Sequence, residues 1–424
     1  MKPKKKNILI LGSGFCGLQA AIELAKQLHN EPNYQIIVID KNTSHIFHAD
    51  LYEIAAAYNK KITTSCLHKL SETVSIPLKK TLKHKNIEVV QDEILAIDKI
   101  EKTIQLKKNG DYHYEYLVMA LGSVINFYNI PGLEEHSLPL KTLHDALALS
   151  CHLDQYFKNY HESHQTHDVH IVIGGGGFTG VEYACEVVGY VNKLSKKYRF
   201  AKNKAKITIV QGGDQFIGLG KKVSDIALKR FNDLNIKPIS NHRISKYDGK
   251  TLELMAPDQT IRQIPADILV WTGGIKANPL LNNFEKRDKS GCLEVGPTLE
   301  CTHYPQIYAG GDNASVFDAK SESYLPKIAH FAIQQGKVIG ENIAASIRGE
   351  TQKTYHPHFK GFIVALGGKY FVFQRKNITL KGIIPYLIRK VEIFLYFKSL
   401  ISFKWAYKKI ITNEHIFEQN DENN

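Results

Sequence analysis

The sequence predicts an α/β protein containing two copies of one unit, a strand, a glycine turn, a helix and a second strand. Three observations predict it. A buried-type strand, Asn7-Ile8-Leu9-Ile10-Leu11, runs into Gly12-Ser13-Gly14-Phe15-Cys16-Gly17. An amphipathic segment at 18–28 and a second strand at 35–39, ending at Asp40, complete that unit. The same order recurs as a strand at 169–173, glycines at 174–177, a helical pattern at 181–194 and a strand at 207–210. The third observation is late. Ile307-Tyr308-Ala309 reads as a short strand entering Gly310-Gly311-Asp312, after the second unit has closed with Ile268-Leu269-Val270-Trp271. That strand belongs back in the first unit, so the second unit is inserted in the first.

Between the units lie a strand-rich stretch at 87–120 and a linker helix near 142–158. From about 350 the composition turns aromatic and basic. A length of 424 residues suits two to three domains at about 150 residues each. With 43% hydrophobic and 23% charged residues, disordered, collagenous and multi-span membrane classes are excluded. The net charge of +13 favours anionic partners such as phosphate cofactors or an acidic membrane surface. Cys16, Cys66, Cys151, Cys185, Cys292 and Cys301 are scattered with no C-x-x-C pair, so neither a zinc site nor a disulfide framework is expected. His161, His164, His167 and His170 recur every third residue but lack helical ligand spacing, and no metal is expected. The apolar run after Lys2–Lys6 is too short for a signal peptide and reads as the first strand.

A G-x-G-x-x-G turn between strand and helix has a mechanical purpose. The first glycine makes the turn and the second admits a pyrophosphate. The third lets the helix pack with its positive N-terminus toward the phosphates. Gly12, Gly14 and Gly17 fit, with Phe15 and Cys16 between them. Gly175, Gly177 and Gly180 also fit, with Phe178 and Thr179 between them. Both units are therefore expected to be Rossmann-like dinucleotide-binding domains. Asp40, followed by Lys41, suits a ribose contact at the end of the second strand. The matching position in the second unit is Gln211, a neutral amide that leaves NADH and NADPH both open.

Two such folds, one nested in the other, with Gly311-Asp312 late in the chain, resemble the two-dinucleotide-binding flavoproteins. Finer motifs are similar to type II NADH dehydrogenases, the single-subunit NAD(P)H:quinone oxidoreductases. They include Ile46-Phe47-His48-Ala49-Asp50-Leu51-Tyr52-Glu53, and Ala120-Leu121-Gly122 in place of A-T-G. Thr179-Gly180-Val181-Glu182, Trp271-Thr272-Gly273-Gly274 and Ala329-His330-Phe331-Ala332-Ile333-Gln334-Gln335-Gly336 also match. His330 departs from the family's usual glutamine.

The resemblance implies FAD in the first fold (1–120 and 280–345) and NADH or NADPH in the second (150–279), with 346–424 as a C-terminal membrane-surface region. It implies that Asp312 lies near the flavin ribityl chain and that Glu182 is set against the nicotinamide–flavin stack. It also implies that Gly122, Gly273, Gly311 and Ala329 contact cofactor, and that His330, Gln334 and Gln335 serve the flavin and quinone pocket.

Residues 381–412 carry seven basic side chains against one acid, Glu392, with seven aromatics interleaved. Leu387, Ile388, Val391, Phe394 and Leu395 form an apolar stripe interrupted by charge. Such a helix lies on an anionic bilayer and does not cross it. The expected activity is hydride transfer from NAD(P)H to FAD and then two electrons to a membrane quinone, without proton pumping. The expected location is peripheral, on the cytoplasmic face of the inner (plasma) membrane. A sulfide:quinone oxidoreductase, which needs convergent cysteines, and a non-catalytic nucleotide sensor are the alternatives. Nucleic acid is not an expected partner, and a homodimer stays open.

Overall fold

The computed structural model describes residues 5–83 and 86–418. Lys2 to Lys4 of the basic N-terminal stretch lie outside the described residues. The chain divides into two compact units. The first comprises Met1–Ile46, Ser75–Val124 and Ile275–Phe359; the second comprises Phe47–Val74, Ile125–Gly274 and Lys360–Asn424.

The first unit is built on a five-stranded sheet. Its order is Ile307–Ala309, Tyr116–Met119, Lys6–Leu11, Tyr34–Asp40 and Ile87–Gln91. Every neighbouring pair is parallel, with Leu11 opposite both Ile39 and Met119. A parallel sheet is covered on both faces, which is why Ile8 to Leu11 are continuously apolar and wholly buried. Ile307–Ala309 occupies the sheet edge beside Tyr116–Met119, so the late strand returns to the first unit. Helix Phe15–Gln27 packs against helix Ala329–Arg348 through two glycines four residues apart. A Cβ on Gly336 would stand 2.2 Å from the Cys16 carbonyl oxygen, and one on Gly340 would stand 2.9 Å from Glu23 Cβ.

The second unit repeats the plan. Its sheet runs Leu138–Pro139, Ile268–Trp271, Val169–Gly174, Ala205–Val210 and Ile236–Ile239. All of these pairs are parallel. Both units carry a three-stranded antiparallel meander, at Ile94–His113 in the first and Arg243–Pro265 in the second. In the second, Leu252 and Leu254 seal a core with Leu133, Val172 and Trp271. The expected linker helix is Leu143–Glu162. A capping box starts it: Asp145 N–H donates to Thr142 Oγ1 at 3.1 Å, and Thr142 N–H donates to Asp145 Oδ2 at 2.8 Å.

The division differs from the sequence expectation: residues 275–279 and 346–359 join the first unit. Phe47–Val74 belongs to the second unit, and residues from Lys360 onward are part of that unit and not a separate C-terminal region. The cause is burial. Helix Ile383–Leu400 follows a three-stranded meander and presents Phe397 to Phe47, ring centroids 5.3 Å apart. Arg389 on the same helix pairs with Asp50 at 3.1 Å. The basic stretch is therefore two-faced. Arg389 and Lys409 turn inward, and Lys390 pairs with Glu414 at 2.8 Å. Lys381, Lys398, Lys404 and Lys408 remain exposed. The outer face of helices Ile383–Leu400 and Phe403–Phe417 shows Leu387, Val391, Leu395, Phe403, Tyr407 and Ile411, each at least half exposed. No described helix is long and apolar enough to cross a membrane.

The helix pair in the first unit makes a test of packing. Gly336→Ala gains about 1 kcal/mol of helix propensity. It also forces a methyl group into a backbone carbonyl, an overpacking cost of about 1–3 kcal/mol. The expected result is a lower denaturation midpoint with an unchanged denaturant slope.

Candidate functional site

The two glycine turns share one geometry. In the first unit Gly12 has φ +95°, and a Cβ there would lie 2.3 Å from the Ala120 carbonyl oxygen. A Cβ on Gly17 would lie 2.0 Å from the Gly12 carbonyl oxygen. A Cβ on Gly14 would meet nothing within 4 Å. In the second unit Gly175 has φ +115°, and a Cβ there would lie 2.7 Å from Gly273 Cα. Gly180 would meet the Gly175 oxygen at 1.8 Å, and Gly177 again faces open space. The outer glycines are demanded by close packing. The middle glycines leave a cradle that a side chain would fill. The helices that follow, Phe15–Gln27 and Phe178–Tyr198, have no side-chain cap and no acid in the first turn. Their N-terminal N–H groups and positive dipole ends thus suit a phosphate.

At the ends of the second strands, Asp40 and Gln211 do equivalent work. Ser13 N–H and Ser13 Oγ each donate to Asp40 Oδ2 at 2.7 Å. Gly176 N–H donates to Gln211 Oε1 at 3.0 Å, and Gln211 Nε2 donates to the Gln215 carbonyl at 3.2 Å. Lys41 is exposed beside Asp40. Phe15 stands edge-on to His45, with centroids 5.2 Å apart. Phe178 packs on Phe362 at 5.4 Å, and Thr179 is exposed. Gly273 sits tightly against Trp271.

Three segments of the first unit converge on the Gly311-Asp312-Asn313 loop. Ser123 Oγ donates to Asp312 Oδ2 at 2.5 Å. Asn313, which sequence reasoning missed, clasps Gly122: Gly122 N–H donates to its Oδ1 at 3.0 Å, and its Nδ2 donates to the Gly122 carbonyl at 2.9 Å. Gly311 N–H donates to Gln335 Oε1 at 2.7 Å. Cys292 Sγ donates to the Asp312 carbonyl at 3.2 Å. A cleft lined by Gly311, Lys327, Ile328, Phe331, Ala332 and Gln335 opens there, at the uncapped N-terminus of helix Ala329–Arg348. Ala329 is the first residue of that helix.

Gln335 is thus occupied in holding the Gly311 loop. Gln334 is committed elsewhere: its Nε2 donates to the His358 carbonyl at 2.9 Å, and its Oε1 accepts from His358 N–H at 2.8 Å. His330 Nε2 lies 2.6 Å from that same carbonyl. His330 and Gln334 come together as a clasp on the 358 backbone.

In the second unit Glu182 lies in the second turn of its helix and not the first, because the helix begins at Phe178. Its Oε1 accepts from Ala365 N–H at 3.2 Å. Burial raises its carboxyl pKa to about 8; nearby Arg389 and the Ala365 N–H oppose the rise, and Asp50 adds to it. Arg389 Nη2 also donates to the Ala49 carbonyl at 3.4 Å. Lys409 donates to the Glu72 carbonyl, and burial brings its pKa down to about 8. Asp50 was legible as part of a motif. Its partner Arg389 was hidden in a stretch whose composition reads as surface charge. Three thiols are held protonated: burial raises Cys16 to about 12 and pushes Cys185 and Cys301 up as well.

Two phosphate cradles in one chain, with an acidic loop closing the first unit, define a dinucleotide-dependent oxidoreductase fold. Residues 6–336 match the pyridine nucleotide-disulphide oxidoreductase family, and the chain belongs to it. The type II NADH:quinone oxidoreductase of Staphylococcus aureus is 28% identical over 400 residues, 90% of this chain and 96% of that protein. The expected resemblance to that group is therefore borne out. NDH2 from Plasmodium falciparum, solved in complex with NADH, superposes with a TM-score of 0.82 at 18% identity, covering 99% of both chains. Sulfide:quinone oxidoreductase from Aquifex aeolicus gives 0.75 at 19% identity, covering 92% of this chain and 91% of that one.

The cradles separate folding from binding. Gly175→Ala forces a side chain into left-handed backbone and a contact of 2.7 Å, and is expected to lower stability by about 1–3 kcal/mol. Gly177→Val is expected to leave the thermal midpoint of the protein near its native value. It should weaken NADH binding about tenfold or more, measured by calorimetry.

Proposed function

We propose that this chain is a peripheral-membrane, non-proton-pumping flavoprotein that passes a hydride from NAD(P)H to FAD and then two electrons to a membrane quinone. The observation that carries the reading is the pair of open cradles at Gly14 and Gly177 in one chain, each at an uncapped helix N-terminus. FAD belongs in the first unit, with its pyrophosphate at Gly12, Gly14 and Gly17 and its ribityl chain at Asp312. The nicotinamide nucleotide belongs in the second, at Gly175, Gly177 and Gly180. FAD, when bound, supplies the two-electron relay between nicotinamide and quinone.

The chain's own residues do the rest. The N-terminus of helix Ala329–Arg348 offers a positive dipole end beside Gly311. Asn313 and Gln335 hold the backbone that carries Asp312 in place. Glu182, protonated below about pH 8, is a proton source suited to quinone reduction. His330 and Gln334 position the 358 backbone and are not themselves free donors.

Docking to the bilayer belongs to the outward stripe Leu387, Val391, Leu395, Phe403, Tyr407 and Ile411, flanked by Lys398, Lys404 and Lys408. Each apolar side chain buried adds about 1.5–3 kcal/mol, and each basic residue near an anionic surface adds about 1 kcal/mol. The cytoplasmic face of the inner membrane, with its anionic lipid, fits that charge. Against a sulfide:quinone oxidoreductase stand the six free cysteines, with no disulfide among them, and the raised thiol pKa of Cys16, Cys185 and Cys301.

The direct test is anaerobic titration. The purified full chain is expected to be yellow, to bleach with NADH, and to recolour with a ubiquinone or menaquinone analogue. A colourless protein that takes up no flavin overturns the reading. Glu182→Gln is expected to slow quinone reduction about 10²-fold at pH 7. In the native enzyme the rate falls as pH rises through about 8, because the carboxyl then loses its proton; the variant lacks this inflection. Val391→Glu with Leu395→Glu is expected to cut co-sedimentation with anionic vesicles more than about tenfold while leaving turnover with a water-soluble quinone.

A further inference from the structure

The duplicated fold supplies its own control. Asp40 and Gln211 occupy the same position and make the same bond, accepting from the N–H of the residue between the first two glycines. They differ in charge. A carboxylate at this point accepts from a ribose 2′-hydroxyl and repels a 2′-phosphate. Gln211 keeps the loop closed without the negative charge, and its Nε2 is spent on the Gln215 carbonyl.

Space follows from the next two residues. A Cβ on Gly212 would meet only Arg243 Cγ, at 3.5 Å, and one on Gly213 would meet only Gln211 Nε2, at 3.6 Å. The turn leading to Arg243 is docked on this loop by two backbone bonds. Asn241 N–H donates to the Gly213 carbonyl at 2.9 Å, and His242 N–H donates to the Gln211 carbonyl at 3.1 Å. That docking lays the methylene stem of Arg243 over Gly212. The side chain is exposed and has no carboxylate partner among the described residues. His242 is turned away, with Nδ1 donating to the Ser240 carbonyl at 2.7 Å. Asp214 is the one acid of the 211–215 loop, and it accepts from Gln215 Nε2 at 3.5 Å.

We propose that Arg243, standing over Gly212, forms a 2′-phosphate subsite, so that NADPH is bound as well as NADH. The inference rests on the assignment of the second unit to the nicotinamide nucleotide. A guanidinium fork matches a phosphate with two parallel N–H donors. Gly212 and Gly213 provide backbone that a phosphate can approach, and the neutral Gln211 removes the charge that would exclude it.

The test uses the full-length flavoprotein and two fragments that differ by one phosphate, 2′,5′-ADP and 5′-AMP, titrated by calorimetry. Native protein is expected to bind 2′,5′-ADP more tightly than 5′-AMP. Arg243→Ala is expected to weaken 2′,5′-ADP about 10- to 100-fold more than it weakens 5′-AMP. In turnover the ratio of kcat/KM for NADPH to that for NADH falls by a similar factor. Gln211→Glu lowers the same ratio by a separate route, through repulsion. Equal affinity of the native protein for the two fragments overturns the proposal, as does an Arg243→Ala variant whose preference is unchanged. Failure of both NADH and NADPH to bleach the flavin overturns the reading on which it rests. Bleaching by NADH alone overturns the phosphate subsite and leaves that reading standing.

Discussion

The constraint on which the rest depends is the contact between the third glycine of each turn and the carbonyl oxygen of the first. Gly17 and Gly180 lie so close to Gly12 and Gly175 that a Cβ would fall within 2.0 Å and 1.8 Å of those oxygens. This contact seats each helix directly on its strand and aims its first N–H groups at the space beside the middle glycine. Because neither helix is capped from within the chain, those groups stay available to a phosphate. A single backbone approach thus sets fold, dipole and binding surface together. It is made twice in one chain.

The first unit shows how a loop can be fixed by side chains distant in sequence. Gly311-Asp312 has little regular structure of its own. It is held by Asn313 on Gly122, by Ser123 on Asp312 and by Gln335 on Gly311. Gln335 can reach because Gly336 and Gly340 let their helix press against helix Phe15–Gln27. Side chains that a motif marks as chemical here also hold backbone in place. Gln334 and His330 behave likewise toward the 358 backbone.

The second unit draws ionisable groups inward. Asp50 and Lys409 are buried, Glu182 and Arg389 are half-buried, and each is bonded to backbone or to another of the group. Removing one partner of such a pair costs about 3–5 kcal/mol, whereas its net contribution to stability is small. What the pairing achieves is register. It fixes the C-terminal helices with their basic and aromatic inner face on the 47–74 segment, and the apolar residues that remain face outward.

The sequence by itself determined the two Rossmann-like folds, the return of Ile307–Ala309 to the first sheet, and the division of the glycines into pairs. It could do so because strand, turn and helix signals are local, and a glycine at fixed spacing is a statement about backbone within a few residues. Tertiary structure alone decided the rest. It turned Arg389 and Lys409 inward, assigned Gln334 and Gln335 to holding backbone, revealed Asn313, and brought Arg243 over Gly212. Each of these depends on which surfaces meet after the chain has closed over separations of tens to hundreds of residues. Residue type and spacing carry no record of that meeting, since a lysine facing water and a lysine facing a carbonyl are written with the same letter.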